Sequence, residues 1–253
     1  MNNIICVLTY QPQQQLIDFY ETLTNDYDVY VAIDDNNHQV NVDKIKIIKI
    51  DRQEAIDNYF FNGSEYNSRF RELKAIAKDK ALYYFYINKT DFDNIWFIED
   101  DVYFYSKDII LNIDKKYPNT NFLAKSYKEL DEPDKIKYFR KYYHKSPFSL
   151  PYYYGLICMM RCPKILINKV FELALTNKQF CIDEIMFHTL CINNKIVMEH
   201  PKEFVGIVYR RKKPLKKYKK DIIYHPIKDF NKQNELRELH KNNSTDFSLL
   251  KII

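Results

Sequence analysis

Glycine is scarce in this chain, three residues in 253. A G-x-G-x-x-G dinucleotide loop and a G-x-x-x-x-G-K phosphate loop both need closely spaced glycines. Neither can be written from Gly63, Gly155 and Gly206. Rossmann dehydrogenases, P-loop NTPases and protein kinases are thereby excluded, and any bound diphosphate has to be held by charge or a metal. Cysteine is odd in number, with Cys6, Cys158, Cys162, Cys181 and Cys191, and forms no C-x-x-C pair. That argues against a zinc site and for buried reduced thiols. No apolar run approaches the ~20 residues of a membrane span. The opening Met1–Leu8 has no basic stretch and too short an apolar run for a signal peptide. Without a secretory signal, the N-x-S/T sequons at Asn62, Asn88, Asn242 and Asn243 carry little meaning. The expectation is a soluble, cytoplasmic protein with no transmembrane segment.

With 46% hydrophobic and 29% charged residues, wholesale disorder is excluded, and the length suits one domain. Ile, Asn, Lys and Tyr are all abundant, as AT-rich codons would make them. The 16% aromatic content is therefore read as bias and core, not as sugar-stacking surface. The net charge of +5 is local. Eight basic residues, Arg210, Arg211, Lys212, Lys213, Lys216, Lys217, Lys219 and Lys220, stand between Tyr209 and Lys220, and the remaining chain is net acidic. One block of this kind suggests a local anionic partner, or a solvated loop, and not a surface that coats nucleic acid.

The apolar pattern predicts a strand–helix–strand rhythm. Ile4–Leu8 reads as a buried first strand, followed by a helix carrying Leu16, Phe19, Tyr20 and Leu23 on one face. Tyr27–Ile33 is a second strand, stopped by Asp34-Asp35-Asn36-Asn37, and Ile45–Ile50 a third. A helix is expected from about Ser68 to Tyr86, with Phe70, Leu73, Ala77, Ala81 and Tyr84 inward. Apolar Ile95–Ile98 then forms a central strand that delivers Glu99-Asp100-Asp101. Lys125–Lys145 reads as a surface excursion, Tyr152–Arg161 as a strand, and Pro163–Thr176 and Ile182–Leu190 as helices. Val197–His200 and Phe204–Tyr209 read as short strands. The fold class is α/β, a mostly parallel central sheet flanked by helices, with ligands at the carboxyl ends of the strands. One catalytic domain is expected over 1–225, with a donor half about 1–105 and an acceptor half about 106–225. Residues 226–253 read as a polar, partly helical tail.

Three carboxylates at the end of an apolar strand repel one another unless something cationic joins them. A divalent ion, Mn²⁺ or Mg²⁺, bridging them to a diphosphate satisfies both, and a solvated turn is the plain alternative. Thr9, Tyr10, Asp34 and Asp35 fall on the same rim, where they would meet the nucleotide. An Asx turn is the other reading of Asp34-Asp35.

An apolar strand ending in such a triad, after a first strand and a D-D-bearing second one, resembles the GT-A glycosyltransferase fold. Tyr154–Arg161 followed by a helix resembles the segment before the catalytic helix of many such enzymes. Ile182-Asp183-Glu184-Ile185-Met186-Phe187-His188-Thr189-Leu190 is similar to the D-E-x-x-x-x-T-L segment of the core-2/I-branching N-acetylglucosaminyltransferases and the related peptide xylosyltransferases. The resemblance implies Asp101 as metal ligand, with Glu99 or Asp100 nearer the ribose or the metal's water. It also implies Glu184 as catalytic base with Asp183 supporting it, and a nucleotide-sugar donor, UDP-linked by analogy. A basic pair in the branching enzymes holds the diphosphate without a metal, and Arg210, Arg211 and Lys212 occupy that region here. Both solutions are thus written into one chain, and the acidic triad favours the metal. His200 is the candidate third ligand and His225 its competitor. Glu184 and His188, at i and i+4, are a weaker metal pair; Arg71 and Lys74 read first as a solvated helix face, with contact to donor phosphates as the alternative.

The reading is a glycosyltransferase moving a hexosyl or N-acetylhexosaminyl group from a nucleotide sugar to a glycan or protein hydroxyl, with inversion. A metal-dependent nucleotidyl or phosphoryl transferase is the alternative. A non-enzymatic polyanion binder using residues 209–220 is the third reading.

Overall fold

The computed structural model of the chain describes residues 2–62, 75–119, 121–131, 147–210 and 218–242. The predicted first strand is β1 (Asn3–Thr9), buried throughout, followed by α1 (Gln14–Glu21), β2 (Asp28–Ile33) and β3 (Lys46–Ile48). Then come α2 (Arg52–Asp57), capped by the Asp51 carboxylate, α3 (Ala77–Ile87) and β4 (Asn94–Glu99). The second half runs α4 (Asp108–Lys116), β5 (Phe122–Leu123), β6 (Lys128–Leu130), β7 (Tyr152–Tyr154), β8 (Met159–Pro163) and α5 (Lys164–Asn177). It closes with α6 (Asp183–Asn193), β9 (Met198–Glu199), β10 (Gly206–Ile207), β11 (Tyr224–His225) and α7 (Phe230–Lys241).

Seven strands form one sheet in the order β3-β2-β1-β4-β8-β5-β9. The first four are parallel, β8 runs antiparallel to both β4 and β5, and β9 is parallel to β5. Burial on both faces explains why β1, β2 and β4 are continuous apolar runs without alternation. Ile4, Cys6, Ile95 and Phe97 turn to one face, among α3, α5 and α6. Ile5, Val7, Trp96 and Ile98 turn to the other, among residues of α1, α4 and the first residue of α7. Register matters more here than packing. Leu8 lies opposite Glu99 and Thr9 opposite Ile33, so three strands end level and deliver Thr9, Asp34 and Glu99 to one rim.

Several expectations shift. The helix predicted from Ser68 starts, among the described residues, at Ala77; Phe70, Leu73, Arg71 and Lys74 lie outside them. The stretch Tyr152–Arg161 is not one strand. β7 pairs antiparallel with β6, while β8 joins the central sheet, and the chain breaks between them at Gly155–Cys158. Gly155 is required there by close approach: a Cβ would sit 2.8 Å from the His188 ring and 3.2 Å from the Ser126 carbonyl. Within Lys125–Lys145, residues 128–130 are strand β6, and 132–146 lie outside the described residues. Phe204–Tyr209 opens as a 3-10 turn, Lys202–Val205, before the two residues of β10. Residues 226–242 pack onto the body, with Phe230, Gln233, Leu236 and His240 of α7 buried.

A buried polar knot on the face away from α3 holds the sheet centre. The fully buried Arg161 gives one N–H to Asp114 at 2.6 Å and others to the carbonyls of Tyr117 and Asn119. Asp114 also accepts from Tyr27 at 2.7 Å and from the Trp96 indole at 3.2 Å. Asp114→Asn keeps the shape but removes the charge facing Arg161. It is expected to cost about 2–3 kcal/mol, a Tm drop of roughly 5–10 °C by thermal denaturation, with no change in ligand binding at the opposite rim.

Among the described residues, no helix is long and apolar enough to cross a membrane.

Candidate active site

The acidic turn is built from the end of β4. Glu99 ends the strand, its N–H donating to the Cys158 carbonyl at 2.9 Å, while the Asp100 N–H donates to the Leu8 carbonyl at 3.1 Å. Asp100 turns toward β1 and accepts the Thr9 hydroxyl at 2.6 Å. Burial raises the pKa of Asp100 and the Thr9 hydrogen bond opposes it. Burial also raises Glu99, with the Lys78 ammonium opposing it and Asp101 adding to it.

Asp101 meets a histidine, and it is His225, not His200. Glu99, Asp101 and His225 each offer a ligand atom within 4.8 Å of the other two. His225 Nε2 lies 3.2 Å from Asp101 Oδ1 and 3.8 Å from Glu99 Oε2. His225 Nδ1 is 2.8 Å from the Val208 carbonyl. A proton on Nδ1, donated to that carbonyl, leaves Nε2 facing the acids, the arrangement in which imidazole binds metals. Burial alone would lower the His225 pKa; the side chains of Asp101 and Cys158 outweigh it and push it up to about 11, so Nε2 carries a proton toward the acids that a bound cation would have to displace. His200 is held elsewhere: its Nδ1 is 3.2 Å from the Ala124 carbonyl and its ring packs on Tyr127. The short β9 ends before it and carries it to the far edge of the sheet, beyond β8 and β5.

These three residues fit a divalent ion. Two carboxylates and one imidazole suit Mn²⁺ or Mg²⁺. Asp101 Oδ1 is buried and accepts no well-angled hydrogen bond even with Nε2 at 3.2 Å, so it retains a lone pair for a cation.

Sequence reasoning missed Lys78. It is the second residue of α3, 4% exposed, and its Nζ lies 3.0 Å from Asp183 and 3.8 Å from Glu99. Burial favours the neutral amine, but Asp183 and Glu99 outweigh it and keep Lys78 charged. No sequence signal marks this residue: a helix expected from Ser68 puts Lys78 in its middle, and its partner Asp183 lies 105 positions away. Lys80, two residues on, is also buried. Its Nζ lies 2.7 Å from the Asp34 carbonyl, 3.2 Å from Asn36 Oδ1 and 3.7 Å from the Asp34 carboxylate.

Lys78 joins the acidic turn to α6. Asp183, buried at the start of that helix, is its ion-pair partner, and Glu184 follows. The Gly155 N–H donates to the Glu184 carbonyl at 3.1 Å and fixes the helix start. Burial pushes the Glu184 carboxyl up to about 7, Asp183 adding to the shift while its own backbone N–H and Lys78 oppose it. His188, one turn on, is fully buried, and burial lowers it to about 4. Its Nε2 sits 3.4 Å from the Lys125 carbonyl, so it packs against that loop and is absent from the metal-capable group.

The rim forms a continuous groove. One part, about 260 Å³, is lined by Thr9, Tyr10, Asp34, Lys78 and the acidic turn. The next, also about 260 Å³, shares Tyr10 and Asp34 and adds Asp35, Asn36, Arg52 and Lys80. Tyr10 is 61% exposed. Asp34 faces Arg52 at 3.4 Å. Asp35 accepts from Gln11 at 2.6 Å and from the Asn37 N–H at 3.0 Å, and these bonds lower its pKa. That is an Asx turn, the plainer of the two readings for this residue. Arg210, exposed and stacked 5.3 Å from the Tyr209 ring, stands two residues after Val208; Arg211 and Lys212 lie outside the described residues.

No protein-family model matches the chain, and no curated protein is similar to it. Among solved structures, 4-diphosphocytidyl-2C-methyl-D-erythritol synthase from Anaerococcus prevotii is similar over 80% of this chain and 90% of its own, at 10% identity and TM-score 0.41. CMP:2-keto-3-deoxy-manno-octonic acid synthetase complexed with CTP is similar over 96% of this chain and 100% of its own, at 10% identity and TM-score 0.40. Galactosyltransferase LgtC with donor and acceptor sugar analogues is similar over 80% of this chain and 74% of its own, at 10% identity and TM-score 0.41. None is named as a branching N-acetylglucosaminyltransferase or a peptide xylosyltransferase. At such scores the likeness says nothing of residues or chemistry.

Proposed function

We propose that this protein is a glycosyltransferase that moves a sugar from a nucleoside-diphosphate sugar, UDP-linked by family analogy, to a hydroxyl of a glycan or protein. The observation that carries this reading is the buried bridge of Lys78 between Glu99 of the acidic turn and Asp183 of α6. It joins a metal-capable turn to a helix start bearing a carboxyl group poised near neutrality. Glu99, Asp101 and His225 would hold Mn²⁺ or Mg²⁺, which supplies positive charge to the departing diphosphate. Thr9, Tyr10, Asp34 and Arg52 line the groove along which the nucleoside would lie. Glu184 takes the acceptor hydroxyl's proton as that oxygen attacks the anomeric carbon, and the configuration inverts. Asp183 positions that helix start through Lys78. The five free, buried cysteines suit a reducing, cytoplasmic setting.

The test is thermal shift with UDP-, GDP- and CDP-sugars, with and without Mn²⁺, on wild type and Asp101→Ala. One nucleotide class is expected to stabilise the wild type by about 2–3 kcal/mol at 100-fold excess over Kd, a rise of several degrees. That rise disappears without Mn²⁺ or Asp101. Stabilisation indifferent to both would move the diphosphate onto Arg210–Lys212. With these donors, release of the nucleoside diphosphate marks sugar transfer; with a nucleoside triphosphate and a sugar or sugar phosphate offered instead, release of pyrophosphate would establish nucleotidyl transfer.

A further inference from the structure

The acidic turn is hydrogen-bonded from behind as well as in front. Every carbonyl of the Glu99–Asp101 turn is bound. Glu99 accepts from the Val102 N–H at 3.0 Å and Asp101 from the Ile227 N–H at 2.8 Å. Asp100 accepts from the side chain of Gln233 at 2.9 Å. The same Gln233 nitrogen donates to the Ile227 carbonyl at 3.0 Å. Ile227 stands two residues after His225. One side-chain amide therefore ties the turn that carries Glu99 and Asp101 to the segment that carries His225.

Gln233 is itself held rigidly. It is 1% exposed. Its Oε1 accepts from Arg237 at 3.2 Å. The Arg237 guanidinium lies 3.7 Å from the Phe19 ring centroid and just over 5 Å from those of Tyr103 and Phe230. The Asp229 carboxylate caps α7 through the N–H groups of Asn231 and Lys232. Tyr103, paired with Tyr224 in both directions across the backbone, contacts His240 at 3.1 Å. These contacts make α7 a brace whose working end is Gln233.

We infer that Gln233 is a positioning residue that sets the distance between the acidic turn and His225, and hence the affinity of the site for a divalent cation. This rests on the metal reading of Glu99, Asp101 and His225. Groups that orient metal ligands cost tenfold to a hundredfold in affinity when removed, and Gln233 does so through the backbone, by the carbonyls of Asp100 and Ile227 beside the ligands.

The experiment compares Gln233→Met, which keeps the bulk and removes both donors, with Asp229→Ala, which weakens α7 at its cap but leaves Gln233 intact. Hydrogen exchange reads the Asp100 and Ile227 amides, and electron paramagnetic resonance of free Mn²⁺ reads metal affinity without substrate. In Gln233→Met, both amides are expected to exchange at least tenfold faster and Mn²⁺ to bind at least tenfold more weakly. Asp229→Ala should leave both readouts near wild type. Equal losses in the two variants would reduce Gln233 to a general stabiliser and overturn the inference, as would unchanged exchange in Gln233→Met. If wild type binds no Mn²⁺, the metal reading falls by itself, and with it the affinity claim. The exchange data still decide whether Gln233 holds the two segments together. Should Gln233→Met not fold, Gln233→Asn, which withdraws the same donor by one methylene, replaces it.

Discussion

Glu184→Gln is expected to lower kcat by roughly two to four orders of magnitude while leaving nucleotide-sugar binding nearly unchanged. The substitution keeps the size and hydrogen-bonding shape of the side chain and removes only its ability to take a proton. A base contributes to the transition state and little to ground-state donor binding, so the loss falls on kcat. Burial sets the wild-type carboxyl near 7, which divides its population between two forms at neutral pH. Only the ionised form is a base. Wild-type kcat should therefore rise with pH to a plateau above about 7, and that limb should vanish in Glu184→Gln. A kcat unchanged by the substitution would remove Glu184 from the chemistry.

The same shift has a consequence for stability, with the opposite sign from the usual carboxylate. A pKa raised from 4.5 to about 7 means the folded state holds the proton more tightly than the unfolded chain does. Folding stability is then full below about 4.5 and falls as pH rises towards 7. Glu184→Gln abolishes that loss, so above pH 7 the variant should be more stable than wild type by about 1–3 kcal/mol. A protein that gains stability while losing turnover at one residue is the signature of a group kept strained for function.

Periodicity and composition made the frame of the sheet legible, and they did so where burial is two-sided. Ile4–Leu8, Val29–Ile33 and Ile95–Ile98 are unbroken apolar runs, and the structure places them in adjacent parallel strands. The carboxylates were equally visible, because charge directly after such a run is conspicuous. What escaped were residues whose importance is purely tertiary. Lys78 looks like any surface lysine until Asp183, 105 positions away, closes on it at 3.0 Å. The sequence puts His200 ahead of His225 and the structure reverses that order, because the choice depends on which short segment returns to the acidic turn, and that is decided by β11 pairing with β10. Gln233 gave no signal at all: it sits in a helix of low mean hydropathy, and its role lies in one side-chain amide reaching two backbone carbonyls. Polar residues 226–242 read as a tail because their buried side chains, Phe230, Gln233, Leu236 and His240, are too few to outweigh the charges between them.

Lys78→Met tests the bridge on which the functional reading stands. The methionine fills the same channel but leaves the 7%-exposed Asp183 and the half-buried Glu99 without their shared cation. Stranding a buried charge in this way is expected to cost about 3–5 kcal/mol, a Tm drop of roughly 10 °C or more. Glu99, whose carboxyl burial already raises, can escape the penalty by taking up a proton, so the deficit should be largest at high pH and shrink as pH falls through its raised range. Adding Asp183→Asn removes one of the two stranded charges. The double variant should regain part of the lost stability, a coupling that a simple packing defect at residue 78 would not produce. Turnover should not return with it. Asp183→Asn restores charge balance but not the link between the β4 turn and α6, and a displacement of about 1 Å between groups acting together is enough to cost ~100-fold in rate. Recovery of both stability and turnover in the double variant would mean that Lys78 serves only to neutralise Asp183, and that the acidic turn and Glu184 find their places without it.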